Sequence, residues 1–140
     1  MKKIIQYLTI SILLGFSSMA LYAQGCSLSS FTSQNLVFSA QQFSTANFAF
    51  NINCQSPYNV RFSNANPASN EGIGYLSDQQ HKIKTKMSAR SDWNIPWNTS
   101  VMQVNNSNNH YVVTVAIVDA IKATTPAGIY KDRIQVNIEY

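Results

Sequence analysis

Residues Tyr111 to Tyr140, YVVTVAIVDAIKATTPAGIYKDRIQVNIEY, decide the fold. They read as two strands around a connection that contains Pro126 and Gly128. In the second strand, Ile134, Val136, Ile138 and Tyr140 fall on one face. Arg133, Gln135, Asn137 and Glu139 fall on the other. Period-two alternation is the mark of a half-buried strand. No turn and no further strand follow Tyr140 in the sequence. A strand left at a sheet edge exposes unpaired backbone donors and acceptors, so it is blunted or filled by another strand.

The opposite end has a different character. Lys2 and Lys3 precede a mostly apolar run, Ile4 to Phe16, and small residues follow. A short apolar segment with a positive start and a small-residue exit reads as a secretory signal peptide rather than a membrane span. Cleavage after Ala23 or after Ala20 satisfies the small-residue rule. Ala23 is preferred, which gives a signal at 1–23 and one mature domain at 24–140. That domain, about 117 residues long, is large enough to bury a sandwich core.

The formal charge of +4 loses two units with Lys2 and Lys3, leaving about +2. So mild a balance gives no reason to expect a nucleic-acid partner. Cys26 and Cys54 are an even pair, and in an exported chain such a pair reads as a disulfide. The loop it closes, about 28 residues, restricts the unfolded chain by roughly 3–4 kcal/mol in the loop-entropy model. The rival reading of Cys26 is lipidation. Ala23-Gln24-Gly25-Cys26 lacks the apolar residue expected three before a lipidated Cys, Gln24 is a poor fit, and lipidation would leave Cys54 alone.

Short alternating segments fill the middle of the chain. A first strand lies at Leu36–Phe38. Phe48, Phe50 and Ile52 alternate with Asn and Ala in Ala46–Cys54, and Tyr58, Val60 and Phe62 alternate beyond Pro57. Residues 63–74 carry the signals of a loop. Tyr75–Arg90 reads as a strand whose outer face holds Lys82, Lys84 and Lys86. Such lysines suit a contact with an anionic surface, or a solvated edge guarded against aggregation. Trp93 and Trp97 flank Pro96 and are candidate surface contacts; residues of this type also plug the end of a core. About seven short strands with regular turn signals and no amphipathic helix predict an all-β, antiparallel sandwich.

Catalysis requires convergent titratable groups, and the sequence offers none. His81 and His110 lie in unrelated settings, and there is no phosphate-binding glycine loop and no metal-ligand spacing. Asp78 near His81 is a weak metal candidate. No catalytic residue, metal or cofactor is expected.

The closing segment Thr125-Pro126-Ala127-Gly128-Ile129-Tyr130-Lys131-Asp132, with the alternating strand that follows, resembles the ending of spore coat protein U-like domains. These include the pilin subunits of archaic, Csu-type chaperone–usher pili. The early half is similar as well: a Cys soon after the signal, the Leu36-Val37-Phe38 run, and a second Cys closing its strand. The resemblance implies an incomplete immunoglobulin-like sandwich, lacking its final strand and completed by strand donation. A periplasmic chaperone lends the strand first, and the extension of another pilus subunit then replaces it. An outer-membrane usher would be the third partner. Ile134, Val136 and Ile138 would flank the donor-strand groove, and the Tyr140 carboxylate would be the chaperone's anchor. Only Gln24 and Gly25 separate the preferred cleavage site from Cys26, whereas a donor strand of ten residues spans about 33 Å. The expectation is therefore an exported subunit that accepts a strand without donating one. It would be a minor or tip-like component at the cell surface, serving attachment and biofilm formation. The alternative is a self-complete secreted sandwich that binds a glycan or surface through Trp93 and Trp97.

Overall fold

The computed structural model describes residues 4–8, 25–32, 35–39, 41–104 and 108–140, with the backbone alone for 4–8 and Asn35. Among the described residues eleven strands run in chain order: β1 (Ile4–Leu8), β2 (Cys26–Ser29), β3 (Asn35–Phe38), β4 (Thr45–Cys54), β5 (Tyr58–Asn64), β6 (Ile73–Ser77), β7 (Lys82–Arg90), β8 (Asn94–Ile95), β9 (Val101–Gln103), β10 (Asn109–Ile117) and β11 (Arg133–Glu139). No helix occurs among the described residues. One sheet has the order β3-β1-β11-β5-β9. The other has the order β2-β4-β10-β7-β6, with β8 added beside β7. All pairings are antiparallel except β1 with β11. The chain is an all-β, immunoglobulin-like sandwich.

The alternation read from the sequence is what builds the core. Phe48, Phe50 and Ile52 of β4 and Tyr111, Val113 and Val115 of β10 point inward from one sheet. Val60 and Phe62 of β5 and Ile134, Val136 and Ile138 of β11 meet them from the other; all are buried. Phe50 lies 6.3 Å from Phe62 and 5.7 Å from Tyr111, centroid to centroid, so aromatic rings bridge the layers. Ring pairs at these separations add directional attraction to the apolar burial. At one end of this stack the Tyr58 and Tyr111 hydroxyls are hydrogen-bonded at 2.7 Å, and the Asn109 amide donates to the Tyr58 oxygen. Burial pushes the Tyr111 phenol well above its ordinary pKa, and the hydrogen bond with Tyr58 pushes it further. The hydroxyl therefore stays neutral in the core.

Cys26 and Cys54 stand opposite each other on β2 and β4 and are joined as a disulfide. The lead-in segment is thus strand β2, clamped to the β4 edge of its sheet. The single strand expected over Tyr75–Arg90 is two strands. Asp78 breaks it: its Oδ1 accepts from the backbone N–H groups of Gln80 and His81, which closes a turn between β6 and β7. Asp side chains favour turns by this bonding to backbone two or three residues on. A second turn needs a glycine. Gly72 has φ of +81°, and a Cβ there would stand 2.2 Å from the Met87 carbonyl oxygen.

The connection from β10 to β11 crosses between the sheets. Lys131 exchanges two backbone hydrogen bonds with Ser77 at the end of β6. Tyr130 is buried, and its hydroxyl donates to the Pro126 carbonyl at 2.9 Å. Asp132, just before β11, is almost fully buried. Its Oδ1 accepts from the N–H groups of Asn66 and Arg133, and its Oδ2 accepts from the Asn64 amide at 2.9 Å. The Asn64 oxygen accepts in turn from the Trp97 indole N–H at 3.1 Å. Indole only donates, so the direction of every bond in this chain is set by Trp97. A buried network of this kind is stable only when each member is satisfied.

Burial raises the Asp132 pKa above the ordinary carboxylate value, against the opposing pull of its hydrogen bonds. The folded state therefore holds its proton more tightly than the unfolded state does, and this contribution to stability is lost as pH rises through the folded pKa. Asp132→Asn would place an amide donor against the Asn64 amide donor. It is expected to cost about 1–3 kcal/mol at neutral pH. Urea unfolding of both proteins from pH 3 to 7 checks this, and the wild-type advantage is expected to grow toward acid.

Candidate groove and surface sites

The best-defined candidate site is a slot in a sheet. In the sheet that ends on β3, β3 and β11 do not pair with each other. They are held one strand apart, about 10 Å or twice the usual inter-strand spacing. The backbone of β1 occupies the slot. Ile4, Ile5, Gln6 and Tyr7 pair antiparallel with Phe38, Val37, Leu36 and Asn35, while Tyr7 and Leu8 pair parallel with Arg133 and Ile134. Among the described residues, β3 has no other partner strand in its sheet, and β11 is paired from Gln135 onward only with β5.

Ile134, Val136 and Ile138, expected to flank a groove, lie on β11, one of the two strands that bound the slot. They form the inward row of β11, and Leu36 and Phe38 form that of β3; all are buried. Val37, between the latter two, is exposed. Local sequence dictates these rows: both strands alternate, and only one phase is apolar on β11. Apart from Ile4–Leu8, the segment assigned to the signal peptide lies outside the described residues, as do residues 105–107.

Tyr140 breaks the alternation expected of it. It is 48% exposed, beside Pro57, Asn59 and Met102 at the end of β11. Its inward phase runs past the last rung of the sheet, where there is no core left to enter. The two tryptophans do not form one platform. Trp93 is 47% exposed, but Trp97 is buried, stacked 6.2 Å from Phe62 and hydrogen-bonded to Asn64. Trp97 is therefore corrected from a candidate surface contact to a core residue. Burial is required to satisfy its indole N–H within the Asn64–Asp132 network. Asp132 was missed as an organising residue; the only trace of it in the sequence is a carboxylate just ahead of an alternating strand.

Asp78 and His81 do approach each other, with Nδ1 and Oδ2 at 3.2 Å. The backbone N–H of His81 lowers the Asp78 pKa, desolvation opposes it, and the His81 ring and the Gln80 N–H lower it further. No third ligand joins them: among the described residues no group of three or more His, Cys, Asp or Glu side chains lies together. No described helix is long and apolar enough to cross a membrane.

No family model matches the chain, and no curated protein sequence matches it. Solved structures do. One is a chain of the CsuC–CsuE complex, a chaperone with a tip adhesion subunit before assembly, from the archaic chaperone–usher Csu pili of Acinetobacter baumannii. Its TM-score is 0.54 at 22% identity over 83% of the present chain. The present chain spans 39% of the chain it matches. The sandwich architecture is thus similar to that of a chain from a pilus chaperone–subunit complex.

Proposed function

We propose that this protein is an exported subunit of a chaperone–usher pilus, whose sandwich is completed by a strand from a partner. The observation that carries the reading is the slot between β3 and β11. Its occupant, β1, belongs to the segment read as a signal peptide. Cleavage after Ala23 removes that strand, leaving β3 without a neighbour in its sheet and β11 with one open side. A periplasmic chaperone fills the slot first, and a neighbouring subunit delivered at the outer-membrane usher replaces it. Added strands bind through main-chain hydrogen bonds, and alternate side chains enter pockets in the groove. The Cys26–Cys54 disulfide supports passage through an oxidising compartment. The likeness to a chain of a chaperone–subunit complex supports this mode of assembly. With little chain ahead of Cys26 after cleavage, the subunit accepts a strand without donating one, which suits a minor or tip-like position in attachment and biofilm formation. In this reading the Tyr140 carboxylate, at an exposed strand end, is available to cationic groups of the chaperone.

A synthetic peptide of residues Lys2–Phe16, added to the processed protein, tests the slot. A ligand that binds only the folded state stabilises it by about 2.7 kcal/mol at a hundredfold excess over Kd. The peptide is expected to raise and sharpen the thermal transition, and a scrambled peptide is expected to leave it unchanged. A high, sharp transition indifferent to either peptide would instead favour a self-complete sandwich, with exposed Trp93 as its contact surface.

A further inference from the structure

The outer face of the second sheet carries a concentration of charge that strand exchange does not use. Lys82, Lys84, Lys86 and Arg90 all project from the solvent side of β7, while Ile83, Thr85, Met87 and Ala89 face the core. These are four of the eight lysines and arginines beyond Gly25. Side chains two residues apart on a strand stand about 7 Å apart, and the row from Lys82 to Arg90 spans roughly 27 Å. Among the described residues, none of the four is in an ion pair; the one ion pair is His81 with Asp78. The nearby acids are engaged otherwise. The Asp119 carboxylate accepts from the Lys84 backbone N–H at 2.8 Å, and Glu71 meets the Lys86 ammonium through its backbone carbonyl.

The surroundings of the row are mixed: across β10, Ala116 stands opposite Lys86 and Val112 opposite Arg90. Register places Thr114 opposite Ser88 and Asn47 opposite Thr114, so hydroxyl and amide groups flank the cations across β10 and β4. Aromatic surface is scarce. Tyr75 is beside the row, and the Lys82 ammonium sits 5.5 Å above its ring. The slot between β3 and β11 lies in the opposite sheet, so an added strand leaves this face uncovered.

We propose that the outer face of β7 binds a linear anionic polysaccharide, its carboxylate or sulfate groups matched to the lysine row and its hydroxyls to the flanking Ser, Thr and Asn side chains. Four cations outside any ion pair along an extended line, broken only at Ser88, suit a repeating polyanion better than a single small anion. Among the described residues, the one ring beside the lysines, Tyr75, is covered by the Lys82 ammonium, so base stacking along the row is disfavoured. Attraction of this kind weakens as salt screens exposed charges.

The test measures binding of the full chain, produced by export, to immobilised polygalacturonate at low and physiological salt. Fully methyl-esterified polygalacturonate and poly(dT) serve as comparisons. Lys84→Gln with Lys86→Gln is compared with the charge-matched pair Arg61→Gln with Arg133→Gln, which lies on the outer face of the other sheet. The expected result is salt-sensitive binding of the carboxylate polymer and none of the ester. The lysine pair should weaken binding at least tenfold, and the arginine pair less than threefold. Thermal unfolding verifies that each variant is folded; if the lysine pair is not, Lys82→Gln with Arg90→Gln takes its place under the same criterion. Equal losses from both pairs would reduce the effect to net charge and overturn the proposal. So would absence of binding by the unaltered protein, or tighter binding of poly(dT).

Discussion

Two strands that share a core but do not touch set the character of this fold. β3 and β11 both send apolar rows into the sandwich, yet a full strand's width separates their backbones. Hydrogen bonding of a strand edge is obligatory in a way that side-chain packing is not. A buried N–H or C=O without a partner costs free energy comparable to a lost hydrogen bond. A strand in the slot satisfies those groups. Here that strand is the chain's own Ile4–Leu8, parallel to β11 and antiparallel to β3.

The remainder of the molecule gives that slot firm walls. The disulfide clamps β2 to β4 in the other sheet. β11 is held on its other side by the β5 ladder, which runs from Ile134 to Glu139. Its start is fixed by Asp132, through Asn64, to Trp97. The crossing loop is pinned by Tyr130 and by the Lys131–Ser77 bridge. β3 has no comparable anchor within its sheet, only apolar contact through Leu36 and Phe38 with the core. Of the two walls, β3 is therefore the weaker. Local stability tracks such differences in buried contact and backbone pairing.

Much of this was legible in the residues. Strands half-buried against one core announce themselves by period two, which is why β4, β5 and the closing strand were readable residue by residue. Alternation says nothing about which strands are neighbours, so the assignment of β10 and β11 to different sheets was not visible. It also runs on across a polar turn, which is how β6 and β7 merged into one predicted strand until Asp78 divided them. Trp97 and Asp132 were opaque for a shared reason. Each is explained by a partner, Asn64, more than thirty residues away, and pairing over that distance leaves no periodic mark. That Ile4–Leu8 can lie between β3 and β11 leaves no mark in the residues, because the apolar run at 4–16 has no strand-like alternation.

Hydrogen exchange on the processed protein, with residues 1–23 removed, tests the slot most directly. An open slot predicts rapid exchange at Asn35–Phe38 and at alternate amides of Arg133–Glu139, those directed away from β5. The intervening β11 amides, bonded to β5, would stay protected. Uniform slow exchange along β3 and both sides of β11 in the isolated, processed protein would contradict it, since the sandwich would then be complete without an added strand.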